Sequence, residues 1–149
     1  MCIRDRLKIA TDDRKVVIGR AAAAVKAGDN SEAMRLLIKA VSNQQPGYFE
    51  TATPKIRAVL LDNARTLPLQ LTAPPPPQIT CDQLGQIKMP VTIARGDSTR
   101  PFYRIAADAA NRCIPGSKLV VIPNGRHVTP AQNPSGFNQA LLGFLDENP

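Results

Sequence analysis

The 149-residue sequence predicts an α/β fold in which two parallel strands with flanking helices follow a helical region. Apolar residues recur at helical spacing up to residue 67, whereas short continuous apolar runs alternate with helical stripes from residue 89 onward. Between these parts lies the run Pro74 to Pro77, which lacks amide donors and so excludes a helix or a central strand. We therefore divide the chain into a helical region at 7–67, a proline-rich connection at 68–88 and an α/β part at 89–149.

The first six residues, Met-Cys-Ile-Arg-Asp-Arg, have neither a signal-peptide apolar region nor a structural period. They resemble the translation of a transposon-end adapter used in preparing DNA sequencing libraries, a scar found in metagenomic gene predictions. We therefore expect residues 1–6 to be non-native and any true targeting signal to lie upstream of them. The alternative is a genuine short basic arm.

Three helices are predicted in the helical region. The first begins at the acidic pair 12–13, whose side chains can cap it, and ends at Gly28. The second begins at Asp29, which offers an N-cap. The third begins at Thr53-Pro54, a cap followed by proline at the first helical position, and Pro68 ends it. Residues 68–78 are then expected to form an extended polyproline connection.

The α/β part has the order strand, helix, strand, helix. The last strand is a continuous apolar run, which predicts burial on both faces, as in a parallel sheet. Two strands do not make a sheet that stands alone, so we expect one unpaired strand edge and a truncated domain. The predicted elements are a strand at Val91–Ala94 that ends at Gly96, a helix from Pro101 to Pro115-Gly116, a strand at Leu119–Ile122 and a helix from Asn133-Pro134.

Charge and composition narrow the class of partner. The 19 Lys and Arg outnumber the 12 Asp and Glu, for a net charge of +7, but they are scattered without a basic run of five. Aromatic residues make up 4% of the chain and Trp is absent, so base-stacking surfaces are not expected. We therefore expect neither a nucleic-acid partner nor, without a run of about 18 apolar residues, a membrane span.

The cysteines are odd in number and widely spaced, at Cys2, Cys81 and Cys113. They form neither a disulfide framework nor a Cys-x-x-Cys metal knuckle, which fits a reducing compartment and leads us to expect a cytoplasmic protein. One histidine without an acidic cluster does not make a metal site, so no cofactor is expected.

The candidate site lies in two loops, at 95–99 and 123–127. Ligands of open α/β sheets gather beyond the carboxyl ends of the strands, which is where both loops are expected. His127 is the single histidine of the chain, so any histidine-dependent chemistry must involve it. The alternative for a lone loop histidine is a structural role.

Three segments of the α/β part resemble one known family. Residues 89–96 (MPVTIARG) look like the penultimate strand of α/β-fold hydrolases, 122–127 (IPNGRH) like their last strand and histidine loop, and 133–145 like their C-terminal helix. The resemblance implies that the chain is the C-terminal part of an α/β-hydrolase fold and that 7–67 is the cap inserted before the penultimate strand. It also implies a nucleophile–His–acid triad with His127 as the general base.

For the other two triad members, the chain offers a candidate acid but no nucleophile elbow. Asp97 is the candidate acid, although the family carboxylate usually lies about three residues after the strand-ending glycine, where this chain has Thr99. The alternatives are that Asp97 forms a strand-end Asx turn, or that the acid follows an earlier strand outside this chain. None of the five serines has the flanking glycines of a G-x-S-x-G elbow, so the nucleophile (Ser, Asp or Cys) and the oxyanion hole are expected upstream.

The resemblance thus predicts an α/β-fold hydrolase that cleaves an ester or related acyl bond of a small-molecule substrate. The chain by itself is expected to be inactive, because it holds the base without a nucleophile. Haloperoxidase-like, dehalogenase-like and carbon–carbon bond cleaving enzymes share the fold and stay open, as does the oligomeric state. The alternative from another class is a small basic helical binding or interaction module without catalysis.

Overall fold

The computed structural model describes residues 3–43, 46–74 and 77–149. Helices dominate these ranges, and no helix within them is both long and apolar enough to cross a membrane. In chain order the elements are α1 (Ile3–Lys26), α2 (Asn30–Ser42), α3 (Tyr48–Thr51), α4 (Pro54–Asn63), a 3-10 turn (Ala64–Thr66), α5 (Leu67–Thr72), α6 (Cys81–Leu84), β1 (Thr92–Gly96), α7 (Pro101–Cys113), β2 (Lys118–Ile122), α8 (Thr129–Gln132) and α9 (Pro134–Glu147).

Side-chain caps start α2 and α4 where the sequence predicts them. Asp29 Oδ1 accepts a hydrogen bond from the backbone N–H of Glu32 at 2.8 Å. Thr53 Oγ1 accepts from the N–H of Ile56 at 3.4 Å, with proline in the first turn of α4. Both bonds satisfy amides that have no partner inside the helix, so these two predicted helix starts are confirmed.

The predicted start of the first helix was wrong. Helix α1 already begins at Ile3, so residues 12–13 lie inside it instead of capping it. The carboxylate of Asp13 bonds to Arg100 from a distant part of the chain, which is a tertiary role that local capping rules do not reveal. Met1 and Cys2, part of the segment expected to be non-native, lie outside the described residues.

The prediction of an extended connection at 68–78 was wrong for its first residues, which form the helix α5. Pro68 lies in the first turn of α5, where an amide would have no helical partner and its loss costs little. Thr80 and Gln83 then form a capping box at the start of α6, so the connection contains two short helices. Pro75 and Pro76, within the proline run, lie outside the described residues.

The best-buried apolar cluster lies in the helical region, between α1, α2 and the segment that leads into α5. Alanines on α1 and α2 allow the two helix backbones to approach closely, and the larger side chains fill the remaining space. The buried members of this cluster are Ala21, Ala33, Met34, Ala64 and Leu67.

Strands β1 and β2 pair in parallel, with Thr92 opposite Lys118 and Gly96 opposite Ile122. In the described ranges they form a two-stranded sheet, with α7 as the crossover, which is compatible with a partial α/β fold. The predicted burial of β2 on both faces was wrong, since Val121 is 43% exposed while Ile122 is 1% exposed. A two-stranded sheet has too few neighbouring elements to cover the face of β2 that carries Val121.

A disulfide joins Cys81, the first residue of α6, to Cys113, the last residue of α7, with Cα atoms 4.9 Å apart. The expectation of no disulfide was therefore wrong. The two cysteines are 32 residues apart in sequence, and only the packing of α6 against the end of α7 brings them together.

Candidate active site

Backbone hydrogen bonds join the two loops beyond the carboxyl ends of β1 and β2. The N–H of Asp97 donates to the carbonyl of Ile122 at 3.1 Å, and the N–H of Ser98 donates to the carbonyl of Gly125 at 3.0 Å. Gly96 lies so close to this second loop that a Cβ on it would overlap the Gly125 carbonyl group. Glycine at 96 is therefore a condition for the contact between the loops.

The Asp97 carboxylate binds groups of both loops. Oδ1 accepts from Ser98 Oγ at 2.9 Å, and Oδ2 accepts from the backbone N–H of Asn124, a residue with a φ of 55°. The hydrogen bond from the Asn124 amide, followed by that from the Ser98 hydroxyl, lowers the pKa of Asp97 below its ordinary value of 3.8. Within the described part of the chain, no hydrogen bond joins this carboxylate to His127.

The backbone of Arg126, directly before His127, is held by side chains of α8. The N–H of Arg126 donates to Gln132 Oε1 at 2.7 Å, and Thr129 Oγ1 donates to the carbonyl of Arg126 at 2.8 Å. Thr129 is buried at 7% exposure, so this second bond is shielded from water. The short helix α8, which the sequence did not predict, thus holds the histidine loop.

The imidazole of His127 stacks on the ring of Tyr103, with ring centroids 4.2 Å apart and planes inclined by 20°. The His127 residue as a whole stays exposed, yet partial desolvation lowers its pKa below 6.5. The Tyr103 ring in turn meets Phe102 edge to face at 5.1 Å, and burial raises the pKa of its phenol. The imidazole is therefore favoured in its neutral form, which can accept a proton.

Helices α1 and α2 reach this site through Arg100, at the start of α7. Its guanidinium donates to both carboxylate oxygens of Asp13, at 2.5 and 3.1 Å, and to the carbonyl of Ala40 at 3.2 Å. Asn43, which follows α2, donates through Nδ2 to the carbonyl of Ser98 at 3.0 Å. The loop that carries Asp97 is thus bound by the helical region as well as by the histidine loop.

The two predicted site residues lie in adjacent loops at the same end of the sheet. Thr99, where the resemblance would have put the acid, is buried at 7% exposure. Neither Tyr103 nor Arg100 is predicted as a site residue from the sequence, because His127 and Asp13, with which they pair, are remote from them along the chain. In the described residues, no group of three His, Cys, Asp or Glu side chains is arranged to hold a metal ion.

No family model matches the chain. Its structure is similar to that of Est816, an N-acyl homoserine lactone degrading enzyme, with a TM-score of 0.57 and 27% sequence identity. The match covers 83% of this chain and 50% of the Est816 chain, so this chain spans about half the length of that protein. A lactone-degrading hydrolase as structural neighbour is consistent with hydrolytic activity and with the hydrolase that the sequence predicts.

Proposed function

We propose that the chain is the C-terminal part of an α/β hydrolase that opens the ester bond of a small-molecule substrate, with His127 as its general base. One observation carries the proposal. The single histidine lies in a braced loop at the carboxyl end of β2, in a chain that is similar to a lactone-degrading enzyme. An N-acyl homoserine lactone contains an internal ester and an amide, and both are bonds of the acyl class expected from the sequence.

The proposed reaction uses a serine nucleophile from outside these 149 residues. The imidazole takes the hydroxyl proton as the serine oxygen attacks the carbonyl carbon, and then returns the proton to the departing alkoxide as the carbon–oxygen bond breaks. Water, activated by the same imidazole, releases the acid product from the acyl-enzyme. Because desolvation lowers the pKa of His127, the ring is neutral and ready to accept a proton near pH 7.

For Asp97 we propose two alternative roles, and a single substitution distinguishes between them. A triad acid would bond to the imidazole, whereas the hydrogen bond from the Asn124 amide favours a role in holding the histidine loop. Asp97→Asn keeps an oxygen that can accept from this amide but removes the charge. A triad role predicts a loss of about 10⁴-fold in kcat, and a loop-holding role predicts a loss of a few-fold at most.

The test of the proposed function is to extend the reading frame upstream and assay the longer protein. We expect hydrolysis of an acyl homoserine lactone or a p-nitrophenyl ester, followed by proton release or by nitrophenol absorbance. The His127→Asn variant should lose at least about 10³-fold in kcat/KM. Arg65→Ala, at an exposed position of the helical region, is the matched control and should retain full activity.

Two results would overturn the proposal. One is an extension that folds but carries no nucleophile elbow and has no activity on either substrate class. The other is an active extended protein whose His127→Asn variant is as active as the wild type. The 149-residue chain alone should show no turnover above buffer in the same assays.

A further inference from the structure

We propose that Tyr103 is the positioning residue of His127: its ring forms the surface against which the imidazole lies, and it sets the orientation of that ring. The role of His127 as a base rests on the proposed function above. The ring stack itself is a property of this chain and is testable without any activity.

The geometry of the pair favours this role. A centroid distance of 4.2 Å and a plane angle of 20° mean that one face of the imidazole lies flat on the phenol ring. Within the part of the chain that the structure describes, the imidazole takes part in no hydrogen bond. The stack on Tyr103 is therefore the contact that orients the imidazole in that part of the chain. A ring without such support turns freely about its side-chain torsions, and a base must point at the proton that it removes.

The supporting ring is itself held by a neighbouring aromatic ring. Tyr103 lies in the first turn of α7, and the edge-to-face contact with Phe102 restricts its ring. The N–H of Phe102 donates to Asp13 Oδ2 at 3.3 Å, and the Arg14 guanidinium lies 5.9 Å from the centre of the Phe102 ring. Helix α1 therefore contacts Phe102, Phe102 contacts Tyr103, and Tyr103 contacts the histidine.

Two opposing effects of this stack act on the imidazole. The face of a phenol ring attracts a cation, which favours the imidazolium, whereas loss of water around the ring disfavours it. Desolvation lowers the pKa of His127, whereas the charges of Arg100, Asp13 and Arg14 act on the Tyr103 phenol. Removal of the Tyr103 ring should thus let water in and move the pKa of the imidazole upward.

The test uses nuclear magnetic resonance on the 149-residue chain, because a single histidine makes its ring-proton signals unambiguous. The wild type and Tyr103→Phe should both show His127 ring protons shifted upfield by the adjacent aromatic ring, with a pKa below 6.5. Tyr103→Leu keeps an apolar side chain but has no ring. It should lose the upfield shift, and the pKa of its His127 should rise toward the ordinary value.

The inference is overturned if Tyr103→Leu keeps both the upfield shift and the low pKa. Amide-signal dispersion shows whether that variant is folded. If it is not, nuclear Overhauser contacts between the Tyr103 and His127 rings in the wild type decide the question, and their absence overturns the inference. A failure of this inference can be distinguished from a failure of the proposed function, because the resonances are measured without substrate.

An active extended protein adds a second readout. Tyr103→Leu should lower kcat more than it raises KM and should move the acid limb of the kcat/KM profile to higher pH, and Tyr103→Phe should restore both. A change in KM alone would contradict the positioning role. An inactive extended protein with the stack intact would instead count against the proposed function and leave the inference standing.

Discussion

Arg100 and Asp13, 87 residues apart in the sequence, form a two-point ion pair in which each carboxylate oxygen accepts one guanidinium N–H. Both side chains are largely covered, at 16% and 11% exposure. The same guanidinium also binds the carbonyl of Ala40, so one side chain connects α1, α2 and α7. This largely covered pair is one of the polar contacts that join the helical region to the segment after Asp97.

We expect Arg100→Ala to lower the free energy of unfolding by about 3 kcal/mol or more, because it leaves the covered Asp13 carboxylate without its partner. Urea denaturation measures the change. Arg65→Ala is the control, since the pair of Arg65 with Asp62 is 76% and 71% exposed and should contribute less than about 0.5 kcal/mol. Equal effects of the two substitutions would show that the Arg100 pair is not shielded from water.

Gly96→Ala should destabilise the chain by about 2 kcal/mol or more, because the new methyl group would overlap Gly125 and separate the two site loops. Gly143→Ala is the matched control on helix α9, where an added Cβ meets no atom within 4 Å. It should stabilise the chain by about 0.5 to 1 kcal/mol through the higher helix propensity of alanine. Thermal unfolding compares the two, and a neutral Gly96→Ala would contradict the close approach of the loops.

Reduction of the disulfide between Cys81 and Cys113 should cost about 3 to 4 kcal/mol of stability, because the bond closes a loop over 32 residues of separation. Denaturation with and without a thiol reductant measures this loss, and a Cys81→Ser, Cys113→Ser variant should no longer respond to the reductant. Thiol titration of the unfolded, unreduced chain should find one free thiol among three cysteines. Three free thiols would refute the bond.

The stability of the chain should fall as the pH drops from about 7 to about 5. The folded state lowers the pKa of His127 below 6.5, so the unfolded chain binds the proton first and acidification favours unfolding. Asp97, whose pKa is lowered from 3.8, adds a separate loss only at more acidic pH. Urea denaturation of the wild type and of His127→Gln at several pH values isolates the contribution of the histidine. An equal loss of unfolding free energy between pH 7 and pH 5 in both proteins would contradict the desolvation of the imidazole.

Local chemistry in the sequence predicted part of this structure well. The caps at Asp29 and Thr53 are short-range signals, and so is the order of strands and helices after residue 89. The same order puts Asp97 and His127 in neighbouring loops, because parallel strands end at the same edge of a sheet.

The contacts that the sequence did not predict join residues far apart in the chain. The stack of Tyr103 on His127 depends on how α7 packs beside the histidine loop, and the Arg100 pair depends on how α1 packs against α7. Periodicity and capping rules describe single elements, so they carry no information about these pairings. The disulfide was missed for the same reason.

The parallel ladder between β1 and β2 also has a consequence for the order of folding events. The ladder closes over a single intervening helix, whereas the ion pair of α1 with the start of α7 closes over 87 residues. Because chain closure costs more entropy over longer loops, we expect β1, α7 and β2 to assemble early and α1 to dock late. Arg100 and Asp13 would then act mainly on the unfolding rate, so that their contact determines how long the folded chain lasts more than how fast it forms.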